Sequence, residues 1–146
     1  MERWRTIFCG GAGAVGGAIA AAFGGWSNDL TVLVAFMVID YVTGMLAAAL
    51  NRSEKTEGGG LSSSVGWAGL VKKIGTLLLV LVAHGLDVTM RVDYVQTAAI
   101  VAFIANETLS ILENAALLGI PMPEIFKRAL EVLKGKSKEA SDGKNE

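Results

Sequence analysis

The stretch Leu30–Leu50, LTVLVAFMVIDYVTGMLAAAL, is apolar along almost its whole length and carries one carboxyl group, Asp40, near its middle. A helix needs about 20 mainly apolar residues to cross a bilayer. Placing a charged side chain at the bilayer centre costs about 2.5–3.5 kcal/mol on insertion scales. A carboxyl group at this depth must therefore pair with another polar group or meet water, which makes Asp40 the first candidate functional residue.

Three further stretches have the length and apolar character of membrane spans, over residues 6–26, 74–92 and 95–118. With 146 residues and a mean hydropathy of +0.49, the sequence predicts an all-α membrane protein of about four transmembrane helices, forming one polytopic domain over 1–135. The first stretch has an alternative interpretation as a cleaved signal peptide, because Arg3 and Arg5 precede it and small residues follow.

The placement of lysine and arginine predicts that both termini lie in the cytoplasm. With four spans, all 13 basic residues except Arg91 fall on one side, and basic residues mark the cytoplasmic side. Three residues at the end of the predicted middle loop, Trp67, Lys72 and Lys73, are expected at the membrane interface, where aromatic rings and ammonium groups meet headgroups.

After the fourth span, Pro121 and Pro123 are expected to stop the helix. An amphipathic helix is predicted over 123–135, lying on the cytoplasmic membrane surface. The charged tail over 136–146 is predicted to be disordered.

Composition argues against several functional classes. A formal net charge of −1 is unlike the basic stripe of a nucleic-acid-binding protein. One cysteine and one histidine leave too few ligands for a zinc site, and nothing marks a serine as an activated nucleophile. The sequence therefore predicts no enzyme, no cofactor and no metal.

Further polar side chains lie near the middle of the predicted spans. Counting 1.5 Å of rise per residue from the outer ends places Asp40, His84 and Glu107 at depths of about 12–18 Å. The candidate intramembrane polar or pore residues are Asp40, Thr43, His84, Asp87, Asn106, Glu107, Ser110, Glu113 and Asn114. They have two interpretations: hydrogen bonds that hold the helices together, or polar stripes that line a wet interior once several copies assemble. Asp87 and Arg91 are also spaced for an i,i+4 ion pair.

Glycines at four-residue spacing form a ridge along the first span. Gly13, Gly17 and Gly25 belong to this ridge, and Gly44 lies on the polar side of the second span. Small residues at this spacing let helices approach closely in lipid. The ridge serves either self-association or packing against the other helices of the same chain.

Four blocks of the chain, in order between about Asp29 and Lys134, resemble the phage holins related to clostridial toxin-secretion proteins. Residues 40–44 (DYVTG) are similar to that family's DYxTG signature, and residues 64–73 (SVGWAGLVKK) to its serine–glycine stretch ending in two lysines. Residues 106–114 (NETLSILEN) are similar to its NExxSIxEN signature, and residues 119–123 (GIPMP) to its G-[IV]-P-x-P continuation. The matching positions are Asp40, Tyr41, Thr43, Gly44, Gly66, Lys72, Lys73, Asp87, Glu107, Ser110, Glu113 and Asn114.

The resemblance implies a multi-pass protein of the bacterial inner membrane, encoded by a phage or prophage. Such holins oligomerise and open lesions that release an endolysin and lyse the host cell, and some relatives are linked to toxin export. The expected partners are therefore a homo-oligomer, the lipid bilayer, and an endolysin or secreted toxin. Two alternatives remain open: a small ion- or proton-linked channel or transporter subunit, and an antiholin-like regulator.

Overall fold

The computed structural model describes residues 2–56, 58–128 and 131–132. It contains four helices in the order α1 (Glu2–Ala22), α2 (Asn28–Ala49), α3 (Ser63–Met90) and α4 (Val95–Leu118). Residues 124–128 and 131–132 are helical as well, and the described residues contain no strand. The all-α prediction is confirmed. The predicted tail over 136–146 and the end of the predicted amphipathic helix lie outside the described residues.

Local sequence signals explain where α2 and α4 begin and end. The backbone N–H of Leu30 donates to Ser27 Oγ at 3.1 Å and so caps the start of α2. The end of α4 is Gly119, which adopts a left-handed conformation with φ 76°. Glycine reaches this conformation without steric cost, and Pro121 follows because it cannot continue a helix.

The predicted middle loop over 51–73 is wrong in its second part, which is helical, and the bounds of the third membrane span stay a prediction. Helix α3 begins at Ser63, so the connection between α2 and α3 ends at Ser62. Lys72 and Lys73 are expected at the membrane interface, where ammonium groups meet headgroups. Helix α3 continues through both residues, and Lys73 finds acidic partners on the neighbouring helices.

The apolar core lies between α2, α3 and α4 in the half of the bundle that contains the α3–α4 turn. Its buried members are Leu30, Leu33, Met37, Val80 and Ile100, with Phe23, Leu77, Phe103 and Ile104 packed against them. Helix α4 packs along both α2 and α3, whereas α2 and α3 touch each other little. We call the half with this core the outer half, and the half next to the α2–α3 connection the inner half.

Helix α1 meets the bundle at its C-terminal end. The side chain of Gln96 donates to the carbonyl oxygen of Phe23 at 3.1 Å, and the backbone of Gly24 lies against the ring of His84. A Cβ atom on Gly13 or Gly17 would have nothing within 4 Å. Among the described residues, Gly13 and Gly17 therefore have open space toward the other helices, and both interpretations of the ridge stay predictions.

Three helices, α2, α3 and α4, are long and apolar enough to cross a membrane. In the part of α1 whose side chains the structure describes, the stretch Gly13–Ala22 is apolar as well. Large apolar side chains on α2 and α3, such as Val38, Leu46, Leu79 and Val82, are about half exposed. A soluble monomer rarely exposes so much apolar surface, so the chain is a membrane protein, and the fourth span stays a prediction.

Candidate functional site

On each of the three packed helices, a charged residue lies seven positions from a residue of the apolar core. Asp40 follows Leu33 by two helical turns, Glu107 follows Ile100, and Lys73 precedes Val80 at the same spacing. Residues seven apart lie on nearly the same side of a helix. The faces that carry the apolar core of the outer half therefore continue into the inner half with charged side chains.

Lys73 joins the three helices at the point where the apolar core ends. Its Nζ lies 2.8 Å from Asp40 Oδ2 on α2 and 2.5 Å from Glu107 Oε2 on α4. The Lys73 and Asp40 side chains are 14% and 12% exposed, and the Glu107 side chain is 9% exposed. We call Asp40, Lys73 and Glu107 the charged triad.

A carboxamide on α4 completes the partners of Asp40. The Nδ2 of Asn114 donates to Asp40 Oδ1 at 2.9 Å, to the Asp40 carbonyl oxygen at 3.2 Å and to Thr43 Oγ1 at 3.1 Å. Gly44 lies beside this amide: a Cβ atom at that position would be in ordinary van der Waals contact with Asn114 Nδ2, at 3.5 Å, so a small residue fits there and a large side chain does not. The DYVTG stretch thus supplies the acidic group, an acceptor hydroxyl and a small residue next to the amide.

The charges of the triad do not cancel. One ammonium group faces two carboxylates, which leaves a formal excess of one negative charge in the interior of the bundle. Removing ions from water costs several kcal/mol each, and good pairing geometry offsets this cost only in part. The arrangement is therefore stable when each charge keeps its partner, and it favours water whenever a partner is removed.

A cavity of about 560 Å³ opens on the inner side of the charged triad, between α2, α3, α4 and the α2–α3 connection. We call this cavity the vestibule. Its lining includes the whole triad and the predicted site residues Asn106, Ser110, Glu113 and Asn114, together with Lys72 of the predicted interface. Asn106 is exposed, whereas Asn114 is 4% exposed. The predicted polar stripe of α4 therefore divides into a buried part and a part that faces the vestibule.

Two of the predicted pore residues, His84 and Asp87, lie in the outer half instead. The backbone N–H groups of Val95 and Gln96 donate to Asp87 Oδ1 and Oδ2 at 2.9 and 2.8 Å. Asp87 thereby caps the start of α4, a place that suits a negative charge. The predicted ion pair between Asp87 and Arg91 is wrong, because Asp87 uses its oxygens for this cap and Arg91 takes a left-handed conformation at the end of α3.

The other predicted residues are found as follows. Trp67 on α3 is 66% exposed, and Gly25 lies in the α1–α2 turn with φ 116°. Lys73, expected at the interface, belongs to the triad; its position seven residues before Val80 was the sequence signal for a buried place.

A contact that sequence reasoning missed is made by Tyr41 of α2. Its side chain lies over two glycines of α3: a Cβ atom on Gly66 would be 3.5 Å from Tyr41 Oη, and one on Gly69 would be 3.9 Å from its ring. Glycines 66 and 69 are three residues apart and so share a helix face. The aromatic side chain therefore packs on this face of α3, beside the vestibule.

The chemistry of the site is that of paired charges and hydrogen bonds. Among residues 2–56, 58–128 and 131–132, no group of three or more His, Cys, Asp and Glu side chains is placed to hold a metal ion. The site can bind water and ions through its carboxylates, ammonium groups, hydroxyls and carboxamides, and it can change its hydration when its helices move apart.

Comparison with known proteins places this arrangement in a family. Residues 17–135 match the model of the bacteriophage holin family. A probable holin of Bacillus phage phi105 is 35% identical over 105 residues, which cover 71% of this chain and 73% of the phage protein. An uncharacterized protein of Halalkalibacterium halodurans is 34% identical over 130 residues, covering 85% of this chain and 91% of that protein. No solved structure matches the chain. The family match takes in α2, α3, α4 and every residue of the charged triad, and the chain belongs to the bacteriophage holin family.

Proposed function

We propose that the protein permeabilises the bacterial inner membrane as a homo-oligomer, releasing an endolysin or exporting a toxin, and that it does so without catalysis. The observation that carries the proposal is the charged triad: inside a bundle whose outer surface suits lipid, the two carboxylates of Asp40 and Glu107 share the one ammonium group of Lys73. Apolar residues would hold such a bundle together at lower cost. The excess charge is explained if the interior becomes wet when the protein works.

Assembly is proposed to involve the glycine ridge of α1. A Cβ atom on Gly13 or Gly17 would meet no described atom of the other helices within 4 Å, and small residues at four-residue spacing allow another helix to approach closely in lipid. The helix that we propose to approach the ridge is α1 of a second copy, through its own glycine ridge. Neighbouring copies would then turn their inner faces, with Asn106, Ser110 and Glu113, toward a common aqueous lumen.

The proposed topology places both termini in the cytoplasm, with α1 as the fourth span. The α2–α3 connection then lies in the cytoplasm with Arg52 and Lys55, and the α3–α4 turn lies outside. This orientation follows from the basic residues, and it opens the vestibule toward the cytoplasm. Cysteine labelling from each side of the membrane, at Lys55 and at Asp93, distinguishes it from the inverted arrangement.

Expression in a bacterial host tests the function. The expected result is a delayed, abrupt loss of membrane potential and viability, followed by lysis when an endolysin is present. A toxin-export role predicts that a large protein without a signal peptide reaches the medium. Intact potential and dye exclusion at a high level of inserted protein would contradict the proposal.

A variant of the triad links the function to the site. Glu107→Leu removes the excess charge and leaves Lys73 paired with Asp40. Because this stabilises the dry, closed state of the bundle relative to a wet one, lysis should be delayed or abolished. Glu124→Leu, which changes an exposed glutamate beyond α4, serves as the control with unchanged timing. Wild-type timing in Glu107→Leu would mean that the triad is scaffolding only.

The vestibule supports a second candidate function, a small ion- or proton-linked channel, because a polar cavity ends at paired charges in mid-bundle. The two candidates differ in the size of what passes. Release of a folded reporter protein favours the holin, whereas a small, ion-selective conductance without such release favours the channel.

A further inference from the structure

The inner half of the bundle lacks the apolar core that holds the outer half together. All five members of the buried apolar cluster lie on the outer side of the charged triad. The buried apolar residues that the structure describes on the inner side are two alanines of α2, Ala47 and Ala48. On the inner side the corresponding space is the vestibule, with a volume of about 560 Å³. The inner part of α3, from Ser63 to Lys73, is therefore held by contacts of a different kind from those that hold its outer part.

The vestibule has the size and the lining of a hydrated cavity. A water molecule occupies about 30 Å³ in the liquid, so the volume has room for on the order of ten water molecules or more. Its walls carry lysines, carboxylates, hydroxyls and carboxamides. One of the lining hydroxyls, that of Thr56, is buried without a hydrogen-bond partner in the described part of the chain. Polar cavities of this kind hold water.

The inner part of α3 meets α2 through contacts of two kinds. Tyr41 rests against the glycine face formed by Gly66 and Gly69, and Lys73 pairs with Asp40. The first contact involves glycines that offer little surface. The second joins opposite charges on side chains that are at most 14% exposed, and it extends to α4 through Glu107. Lys73 thus connects the inner part of α3 to both α2 and α4 by ion pairs.

We propose that Lys73 is an electrostatic latch, which holds the inner part of α3 closed over a water-filled vestibule. While the latch is closed, one ammonium group separates two carboxylates that would otherwise repel each other. When Lys73 leaves, Asp40 and Glu107 face each other without a counter-ion, and water enters between them. Helix α3 then tilts about its contacts in the outer core, and the vestibule opens into a wet cleft.

The latch also gives Lys73 a role in the timing of lysis, and this role rests on the proposed function. A chain with an open cleft presents its polar inner face to a neighbouring copy, as the lumen of an assembled lesion requires. Removing the ammonium group should therefore give early lysis, whereas removing a carboxylate in Glu107→Leu should give late lysis. A residue that merely stabilised the fold would shift both variants in the same direction.

Distances between spin labels on α2 and α3 test the latch without any lysis readout. Labels at Ala49→Cys and Ser64→Cys, which are both exposed, are introduced in a Cys9→Ser background into the full chain, reconstituted at about one copy per vesicle. Ser64 lies about 20 Å along α3 from the core residue Leu77, so a tilt of about 20° moves the label by about 7 Å. Lys73→Met is compared with Lys72→Met, which removes the neighbouring, exposed lysine.

In Lys73→Met we expect the distribution of label-to-label distances to shift to longer values and to broaden. In Lys72→Met and Lys73→Arg we expect the distribution of the wild-type protein. The variant Lys73→Met, Asp40→Asn, Glu107→Gln removes all three charges and should return toward the closed distance, which separates a latch from misfolding. An unchanged distance in Lys73→Met, or the same opening in Lys72→Met, overturns the latch. Lysis by the wild-type protein is measured separately. Unchanged distances in Lys73→Met would therefore overturn the latch without affecting the proposed function, and absence of lysis would overturn the proposed function without affecting the distance measurement.

Discussion

The contacts of Asn114 allow a stability change to be worked out from the structure. In Asn114→Ala, Asp40 Oδ1 loses an N–H donor at 2.9 Å and Thr43 Oγ1 loses one at 3.1 Å. Hydrogen bonds between helices in membranes average about 0.6 kcal/mol and reach about 1.7 kcal/mol. Taking the upper value for the carboxylate and the mean for the hydroxyl gives a loss of about 2 kcal/mol, or roughly 30-fold in the unfolding equilibrium.

The same helix offers a matched control. Asn106 is exposed and faces the vestibule, so Asn106→Ala exchanges contacts with water and should change the free energy of unfolding by less than about 0.5 kcal/mol. The measurement is an unfolding titration of both variants in the same bicelles. Equal losses in the two variants, or a loss below about 0.5 kcal/mol in Asn114→Ala, would refute the assignment of Asn114 as the partner that fixes Asp40.

Three further variants test other contacts of the bundle. Leu33→Ala, at a fully buried position of the core, should lower the free energy of unfolding by about 2 kcal/mol. This is the low end for such truncations, because lipid already solvates apolar side chains in the unfolded state. A loss of less than half of this value would mean that Leu33 does not lie in the core. Gly44→Leu should push Asn114 away and separate α2 from α4, seen as a lower thermal midpoint with the helix content kept, and a wild-type midpoint would contradict the close approach. Gly24→Ala should lower the free energy of unfolding by about 1–3 kcal/mol, because its φ is 75° and its Cβ would overlap the ring of His84, whereas Gly85→Ala, inside α3 with open space around the added Cβ, should lose nothing in the same unfolding titration.

Much of the helical layout could be predicted from the sequence, because apolar runs and their punctuation act locally. Long apolar stretches predicted α2 and α4 within a few residues, and Gly119 with Pro121 predicted where α4 ends. The start of α3 could not be predicted in this way. A lysine inside an apolar run ends a span unless a partner neutralises it, and the partners of Lys73 are more than 30 residues away in the chain.

The candidate site shows the same division. The sequence alone determined that carboxyl and carboxamide groups lie deep in apolar helices and need partners, since hydrocarbon gives them none. Only the tertiary structure decided which groups meet: Asp40 and Glu107 both pair with Lys73, and Asn114 donates to Asp40. Asp87 instead caps α4 at the other end. Depth along a helix follows from counting residues, but the side a helix turns toward its neighbours depends on the packing of all three helices at once.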